Sequence, residues 1–410
     1  VIVFRKKWDA REKEGDACLP RSHKTARWTA GGLLGAFALA VVFYSCQQAQ
    51  EARQTVTLPE PAQYQREAEQ RLYQFLRARM TDAQGGVHTN LMPSTAGAVT
   101  TGDTAKGHTV LSESVGLLLE YAVRSDNRAL FEVERRLLEQ RFLTGEYFVR
   151  WVVPPLDVSV PESTVNSSID DLRLIDALLA GAERFADARA QRLGNQIAKG
   201  LLHYNEQSGW LHDYADVQSE KKSDTVQIRY LNLPVLAKLS AADPACKPVY
   251  EKARELLRAA RQPSGLYATE WIPSAGAFRE DGGQAAVDPH MAEQLVAALY
   301  AQGDKLPTDG MTALLQKALR ASHRLPAAVD RDGQPSSRVE SPAVYALAAI
   351  YLHRAGEEAM AGECLQRLEE MQVQHDPRYS GGYVDLRSLE AYSFDQLEAL
   401  LALREAGVPR

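Results

Sequence analysis

From about residue 62 to residue 406, apolar residues return with the ~3.6-residue period of amphipathic helices. The pattern predicts twelve helices, near 62–81, 111–124, 127–141, 168–184, 186–203, 226–239, 247–260, 289–302, 311–322, 341–354, 357–371 and 390–406. Extended segments are scarce, and Glu146 to Val153 is the best candidate strand. Helix starts near 111, 168, 226, 289, 341 and 390 recur at intervals of about 50 to 60 residues. Each of the first five is followed closely by a second helix. The expectation is an all-α chain of six helical hairpins closed into an (α/α)6 toroid. No strong residue-level repeat accompanies this spacing.

The helices fall into two kinds. One set is apolar along most of its length, as in Leu117-Leu118-Leu119 and Val344-Tyr345-Ala346-Leu347-Ala348-Ala349-Ile350. The other, such as 127–141 and 357–371, carries a charged face. Helices apolar all round belong inside and charged ones outside. The apolar helices open with polar residues: Ser112 and Glu113; Ser167, Ser168, Asp170 and Asp171; Arg229 and Tyr230; Asp288, His290 and Glu293; Glu340 and Ser341; Tyr392 and Asp395. Ser, Asp and Pro at a single helix start are ordinary capping chemistry. Six such starts at one end of a barrel would gather carboxylates and aromatics at its mouth.

The chain also divides along its length. Ala30 to Phe43 is an apolar run with Lys24 and Arg27 before it and no Asp or Glu within it. It is short for a spanning helix of about 20 residues and suits a signal or anchor segment. The basic flank keeps the N-terminus inside and sends the body outward. Cys46 closes the run and is a lipidation candidate; an uncleaved anchor is the other reading. The expected division is 1–46 tail and anchor, 47–63 linker with Pro59 and Pro61, and 64–410 folded domain. A formal charge of −6 argues against nucleic acid as a partner. Cys18, Cys46, Cys246 and Cys364 form no CxxC pair, and the last two read as buried free thiols. Nothing calls for a cofactor: Walker, GxSxG and dinucleotide signatures are missing.

Glycoside hydrolysis needs one carboxyl to protonate the leaving oxygen and a second to activate water or attack carbon. Glu113 is the leading acid, at the change from a Gly/Thr-rich loop to an apolar helix. Asp170 and Asp171 are the second feature; adjacent helical residues diverge by about 100°, so only one is expected to face the mouth. His290 and Glu293 share a helix face, but no third metal ligand stands nearby, so no metal is assigned. Glu293, or less surely Asp288, is the candidate base. Tyr230, Tyr267, Trp271, Tyr345, Tyr383 and Tyr392 are candidate sugar platforms, since aromatic faces stack on pyranose C–H faces.

Together these motifs resemble glycoside hydrolase family 8. The acid segment of that family, Ser-Glu-x-x-Gly, is matched by Ser112-Glu113-Ser114-Val115-Gly116. An Asp-rich helix start that holds the central sugar is matched by Ser168-Ile169-Asp170-Asp171-Leu172, with Asp170 57 residues beyond Glu113. A Tyr followed by Pro is matched by Arg229-Tyr230-Leu231-Asn232-Leu233-Pro234, with one extra residue. The resemblance covers roughly Pro61 to Arg410. It departs where the family continues Gly-Tyr-Gly and this chain reads Gly116-Leu117-Leu118. It departs again at the base, an Asp in the family and Glu293 here.

The resemblance implies the six-hairpin barrel and inversion at the anomeric carbon, with Glu113 as acid and Asp170 or Asp171 holding the central sugar. Asp288, His290, Glu340, Tyr230 and Tyr392 are the expected substrate contacts. It also points to the lipoprotein-like members tied to exopolysaccharide synthesis. The expected partners are a polysaccharide, the membrane through the N-terminal segment, and exopolysaccharide synthase or secretion proteins. The competing expectation is a non-catalytic polysaccharide scaffold, in which the changed base marks lost chemistry. A lyase-type toroid enzyme would instead need His or basic residues at the mouth, where His88, His108 and His290 are the candidates.

Overall fold

The computed structural model describes residues 56–94, 100–101, 104–279 and 288–405. The expected tail and anchor, with Cys18 and Cys46, lie outside these residues, as does most of the linker. No helix among the described residues is long and apolar enough to cross a membrane.

Twelve α-helices are described: α1 Glu67–Phe75, α2 Ser112–Arg124, α3 Arg128–Leu137, α4 Ser168–Phe185, α5 Ala188–Asn205, α6 Leu233–Ala242, α7 Lys247–Ala259, α8 Met291–Gly303, α9 Asp309–Ser322, α10 Pro342–Ala355, α11 Glu358–Met371 and α12 Ser393–Glu405. α2, α4, α6, α8, α10 and α12 form an inner ring in which each packs on the next and α12 closes on α2. α3, α5, α7 and α11 pack outside their hairpin partners, and α1 packs against α12 at the seam. This is the six-hairpin toroid that the spacing predicts.

The burial pattern explains the sorting. α10 is buried at every position from Ala343 to His353, as expected of a helix covered on all sides. α11 buries only Ala361, Cys364, Leu365 and Leu368, the single stripe of an outer helix. Local chemistry sets the ends. Asn127 caps α3 and Asp187 caps α5 through side-chain oxygens that accept backbone N–H bonds. Gly356, at φ +80°, ends α10.

Three expectations change. The helix expected from 226 begins at Leu233, because Asn232 caps it and Pro234 stands in its first turn. Val226–Gln227 is instead a strand and Ile228–Tyr230 a 3₁₀ turn. Of the strand expected over 146–153, Val152–Val153 pairs with Val110–Leu111, and Val149 forms an isolated bridge with Leu143. At the N-terminal edge, residues 56–63 pack on the body: Asn127 and Tyr73 donate to the Pro59 carbonyl, and Arg404 donates to that of Gln63.

A repeat does exist, in the turns rather than the helices. Asp82, Gln262 and Asp330 each donate N–H to the carbonyl four residues on, at Gly86, Leu266 and Gln334. Each also accepts at its carbonyl from the N–H of Gly85, Gly265 or Gly333. Those glycines have φ of +97°, +90° and +74°, where a side chain is strained. The same turn is thus reused after three outer helices.

One buried group is out of keeping with its surroundings. Glu134, on α3, is fully buried, and neither carboxylate oxygen has a hydrogen-bond partner. Burial and then the Asp82 charge hold its carboxyl well above the usual range. Glu134→Leu is expected to stabilise the fold by about 1–3 kcal/mol, the cost of an unsatisfied buried polar group. An increased urea midpoint with an unchanged slope would bear this out; a lower midpoint would show that Glu134 has a stabilising role.

Candidate active site

The inner helices present their N-termini at one end of the barrel, and two of them bring carboxylates together. The strand Val110–Leu111 delivers the chain into α2, and its partner Val152–Val153 fixes the angle of entry. Ser112 N–H donates to the Trp151 carbonyl at 3.0 Å. The Ser112 hydroxyl donates to Asp170 Oδ2 at 2.9 Å, tying the start of α2 to the first turn of α4. Glu113 is next in the chain and only 8% exposed. Neither Leu111 nor Ser167, the residues that precede α2 and α4, caps its helix through a side chain.

Beneath the pair lies Arg173. Its Nη1 is 3.9 Å from Glu113 Oε2 and 3.8 Å from Asp170 Oδ1, and its Nη2 is 3.8 Å from Glu398 Oε1. At this distance one ion pair is worth about 4 kcal/mol at an effective dielectric near 20. Withdrawing each carboxylate from water costs several kcal/mol, and one guanidinium serves three. Burial therefore wins at Asp170, whose carboxyl is pushed up to about 7; the Glu113 charge adds to the rise, while Arg173 and bonds from Ser112 and Ser167 oppose it.

Asp171 points elsewhere. Its Oδ2 accepts from Asn166 Nδ2 at 2.7 Å, and Asn166 in turn bonds Asn205 and Ala215 N–H. Through this oxygen the Asp171 carboxylate braces the loop before α4, while its Oδ1 has no hydrogen-bond partner. Tyr230 does come to the pair. Its side chain is buried, it bonds Ser167, and its hydroxyl lies in the fields of Asp213 and Asp170.

On the next wall, Glu293 Oε1 meets Arg229 Nη1 at 3.0 Å. The Arg229 guanidinium also lies over the Tyr230 ring, 5.2 Å from its centroid. Asp288 and His290 are exposed, and His290 pairs through its backbone with Ala328. No group of three His, Cys, Asp or Glu among the described residues is placed to hold a metal.

Glu340 is drawn away from the mouth. It takes a paired contact from Arg367 of α11 at 2.8 and 3.0 Å and accepts from the Tyr345 hydroxyl. Hydrogen bonds from Arg367 hold its carboxyl below the usual range despite partial burial. Glu340, expected as a substrate contact, is held in an ion pair that ties the chain just before α10 to the outer helix α11. Tyr392 is half-buried beside Asn90, with which it forms a backbone bridge. Its neighbour Asp395 caps α10 from across the ring, accepting from Ser341 Oγ and Ala343 N–H at 2.9 and 3.0 Å.

Two buried carboxylates escaped the sequence reading. Asp213 accepts from Thr225 Oγ1 and Gln227 N–H at 2.7 and 2.6 Å, beneath Arg229 and Tyr230. No local pattern marks it. Glu398 was legible only as a charge inside a helix otherwise buried along its length.

An α/α toroid with buried carboxyls at the inner-helix N-termini is the architecture of a class of glycoside hydrolases. The chain is similar to an α-amylase from Clostridium perfringens (25% identical, TM-score 0.74, covering 82% of this chain and 96% of that one). It is also similar to PssZ from Listeria monocytogenes (20% identical, TM-score 0.65, 85% and 98% covered). The family 8 endoglucanase Cel10 from Klebsiella pneumoniae has the same fold (15% identical, TM-score 0.57, 82% and 99% covered). In sequence, the candidate lipoprotein YdaJ of Bacillus subtilis is 26% identical over 302 residues, 72% of this chain and 79% of that one. No protein-family model matches the chain. The fold is that of glycoside hydrolase family 8, in divergent form, as the motifs around Glu113, Asp170 and Tyr230 predict.

The raised carboxyl at Asp170 has a consequence for stability. Its folded value lies above its unfolded one, so the folded state keeps a proton that the unfolded state releases between roughly pH 4 and pH 7. This contribution is present below about pH 4 and is lost as pH rises towards 7. Asp170→Asn is expected to lose less stability than the native chain between pH 5 and pH 8, by an amount on the order of a few kcal/mol. Urea midpoints at the two pH values test this; identical losses in both proteins would mean that Asp170 is ionised in the fold.

Proposed function

We propose that the chain is an inverting endo-glycoside hydrolase that cuts a bacterial exopolysaccharide at the cell envelope. The observation that carries this reading is the pair formed by Glu113 and Asp170, both facing Arg173 and buried at the mouth. In the reaction, Glu113 gives its proton to the glycosidic oxygen as the C–O bond breaks. A water attacks the anomeric carbon from the opposite face, and Glu293 takes the proton of that water. Asp170 hydrogen-bonds the distorted central sugar, and Tyr230 lines the cleft beside it. Inversion needs the acid and base about 6.5–9.5 Å apart, with the water between them.

The envelope placement is supported by the apolar run before Cys46 and by the similarity to a candidate lipoprotein. A polysaccharide substrate is supported by the glucanases and the amylase among the similar structures. Exopolysaccharide synthase or secretion proteins are the proposed neighbours at the membrane.

A second reading rests on one observation: Glu293 is held by Arg229 at 3.0 Å, which occupies the candidate base. On that reading the toroid binds polymer without cutting it.

Reducing-end release from a panel of bacterial polysaccharides, by the full chain and by Glu113→Gln, separates the two. The variant is expected to lose about 10²–10⁴-fold, the usual worth of a general acid. Equal release by both would remove Glu113 from the mechanism. Binding of a polymer without release would favour the second reading.

A further inference from the structure

Arg173 stands where two compartments of the barrel meet. Above it is the mouth, with Glu113 and Asp170. Below it is a cavity of about 310 Å³ on the barrel axis, lined in part by Arg173, Glu120, Glu398, Tyr300, Arg124 and Arg354. The other two arginines have carboxylates of their own. Arg124 pairs with Glu120 and Glu405, and Arg354 with Glu405. Arg173 is therefore the cation that the mouth carboxylates share.

Its placement is built rather than incidental. Arg173 is one helical turn from Asp170 on α4, and only 7% exposed. Its stem runs across Gly116 of α2, where a Cβ would meet Arg173 Cγ and Cδ at 3.1 Å. The glycine one turn after Glu113 thus leaves the room in which the arginine lies. All three of its carboxylate contacts are at 3.8–3.9 Å, and Nη1 has no hydrogen-bond partner. The guanidinium is suspended between Glu113, Asp170 and Glu398 rather than committed to one of them.

We propose that Arg173 is the positioning residue of the Glu113–Asp170 pair, restrained from beneath by Glu398, and that this shared guanidinium governs the proton held at Asp170. Its catalytic meaning rests on the hydrolase reading; its electrostatic content does not. One positive charge faces three carboxylates from α2, α4 and α12. The other titratable groups around the node are Tyr300 from α8, Glu120 and Arg124 from α2, Asp171 and the Lys238-paired Asp176 from α4, Arg354 from α10, and Tyr230 from the turn before α6. With burial pushing both Asp170 and Glu398 up to about 7, the position of Arg173 decides how readily Asp170 ionises.

The test titrates Asp170 in the full chain by carboxyl ¹³C resonance, with Asp170→Asn identifying its signal. Arg173→Met is expected to move the Asp170 titration upward by about 1–3 pH units, the usual effect of an opposite charge at this range. Arg173→Lys, which keeps the charge, is expected to recover more than half of that movement. Glu398→Gln is expected to move it downward, because the arginine then serves two carboxylates instead of three. An unmoved titration in a folded Arg173→Met chain overturns the proposal. Should that variant not fold, an unmoved titration in Glu398→Gln overturns it as well. Loss of the hydrolase reading shows separately, as absence of polymer cleavage by the native chain with these titration shifts intact.

Discussion

Six inner helices that bury themselves against one another have almost no free flank on which to carry chemistry. α10 is covered from Ala343 to His353, and α12 from Phe394 to Arg404 apart from Asp395. What remains available is the helix ends and the narrow axis. Closing the ring therefore does two things at once: it supplies most of the buried apolar area, and it brings six N-termini to one end. Helix N-termini favour negative charge, so the carboxylates that gather there stand in a supporting field. The candidate site is in this sense a by-product of the packing that makes the barrel stable.

Packing also sets the electrostatic character of that site. Once α2, α4 and α12 are in contact, Glu113, Asp170 and Glu398 cannot all be served by water. The fold answers with a single arginine, and with a glycine at 116 that leaves space for it. Elsewhere the same problem is solved by full pairing. Glu340 has Arg367 and Tyr345; Asp395 has the N-terminus of α10. The contrast separates carboxylates that hold the barrel together from those left incompletely satisfied at its mouth. Incomplete satisfaction is costly to a resting fold and useful to a group that must exchange protons.

The comparison between relatives and residues runs along the same line. Similarity of fold extends over more than four-fifths of this chain to structures at 15–25% identity. A barrel made by helix-on-helix burial tolerates such divergence, since apolar side chains of similar volume exchange readily when the pattern is kept. The family 8 resemblance in sequence is carried at the mouth, at Ser112-Glu113, Ser168 to Asp171 and Tyr230.

Helix number, the inner and outer sorting, and the polar character of the inner starts were legible in the sequence, because each depends on local period and composition. The strand at Val226–Gln227 was not, because its partner, Glu270–Ile272, lies more than forty residues away. The repeated turns at Asp82, Gln262 and Asp330 were hidden because backbone hydrogen bonds define them and their common sequence feature is a single glycine. The different partners of Asp170 and Asp171 were hidden too, because Ser112 comes from another helix and Asn166 from a folded-back loop. The partners of Glu340 and Glu398 were hidden for the same reason: the first found an arginine on its outer partner, the second shared one with the mouth. Sequence periodicity by itself determined which residues would be helical and which faces would be buried. Only the closed ring decided which charges meet, since contacts between side chains from different helices depend on three-dimensional packing that no local pattern encodes.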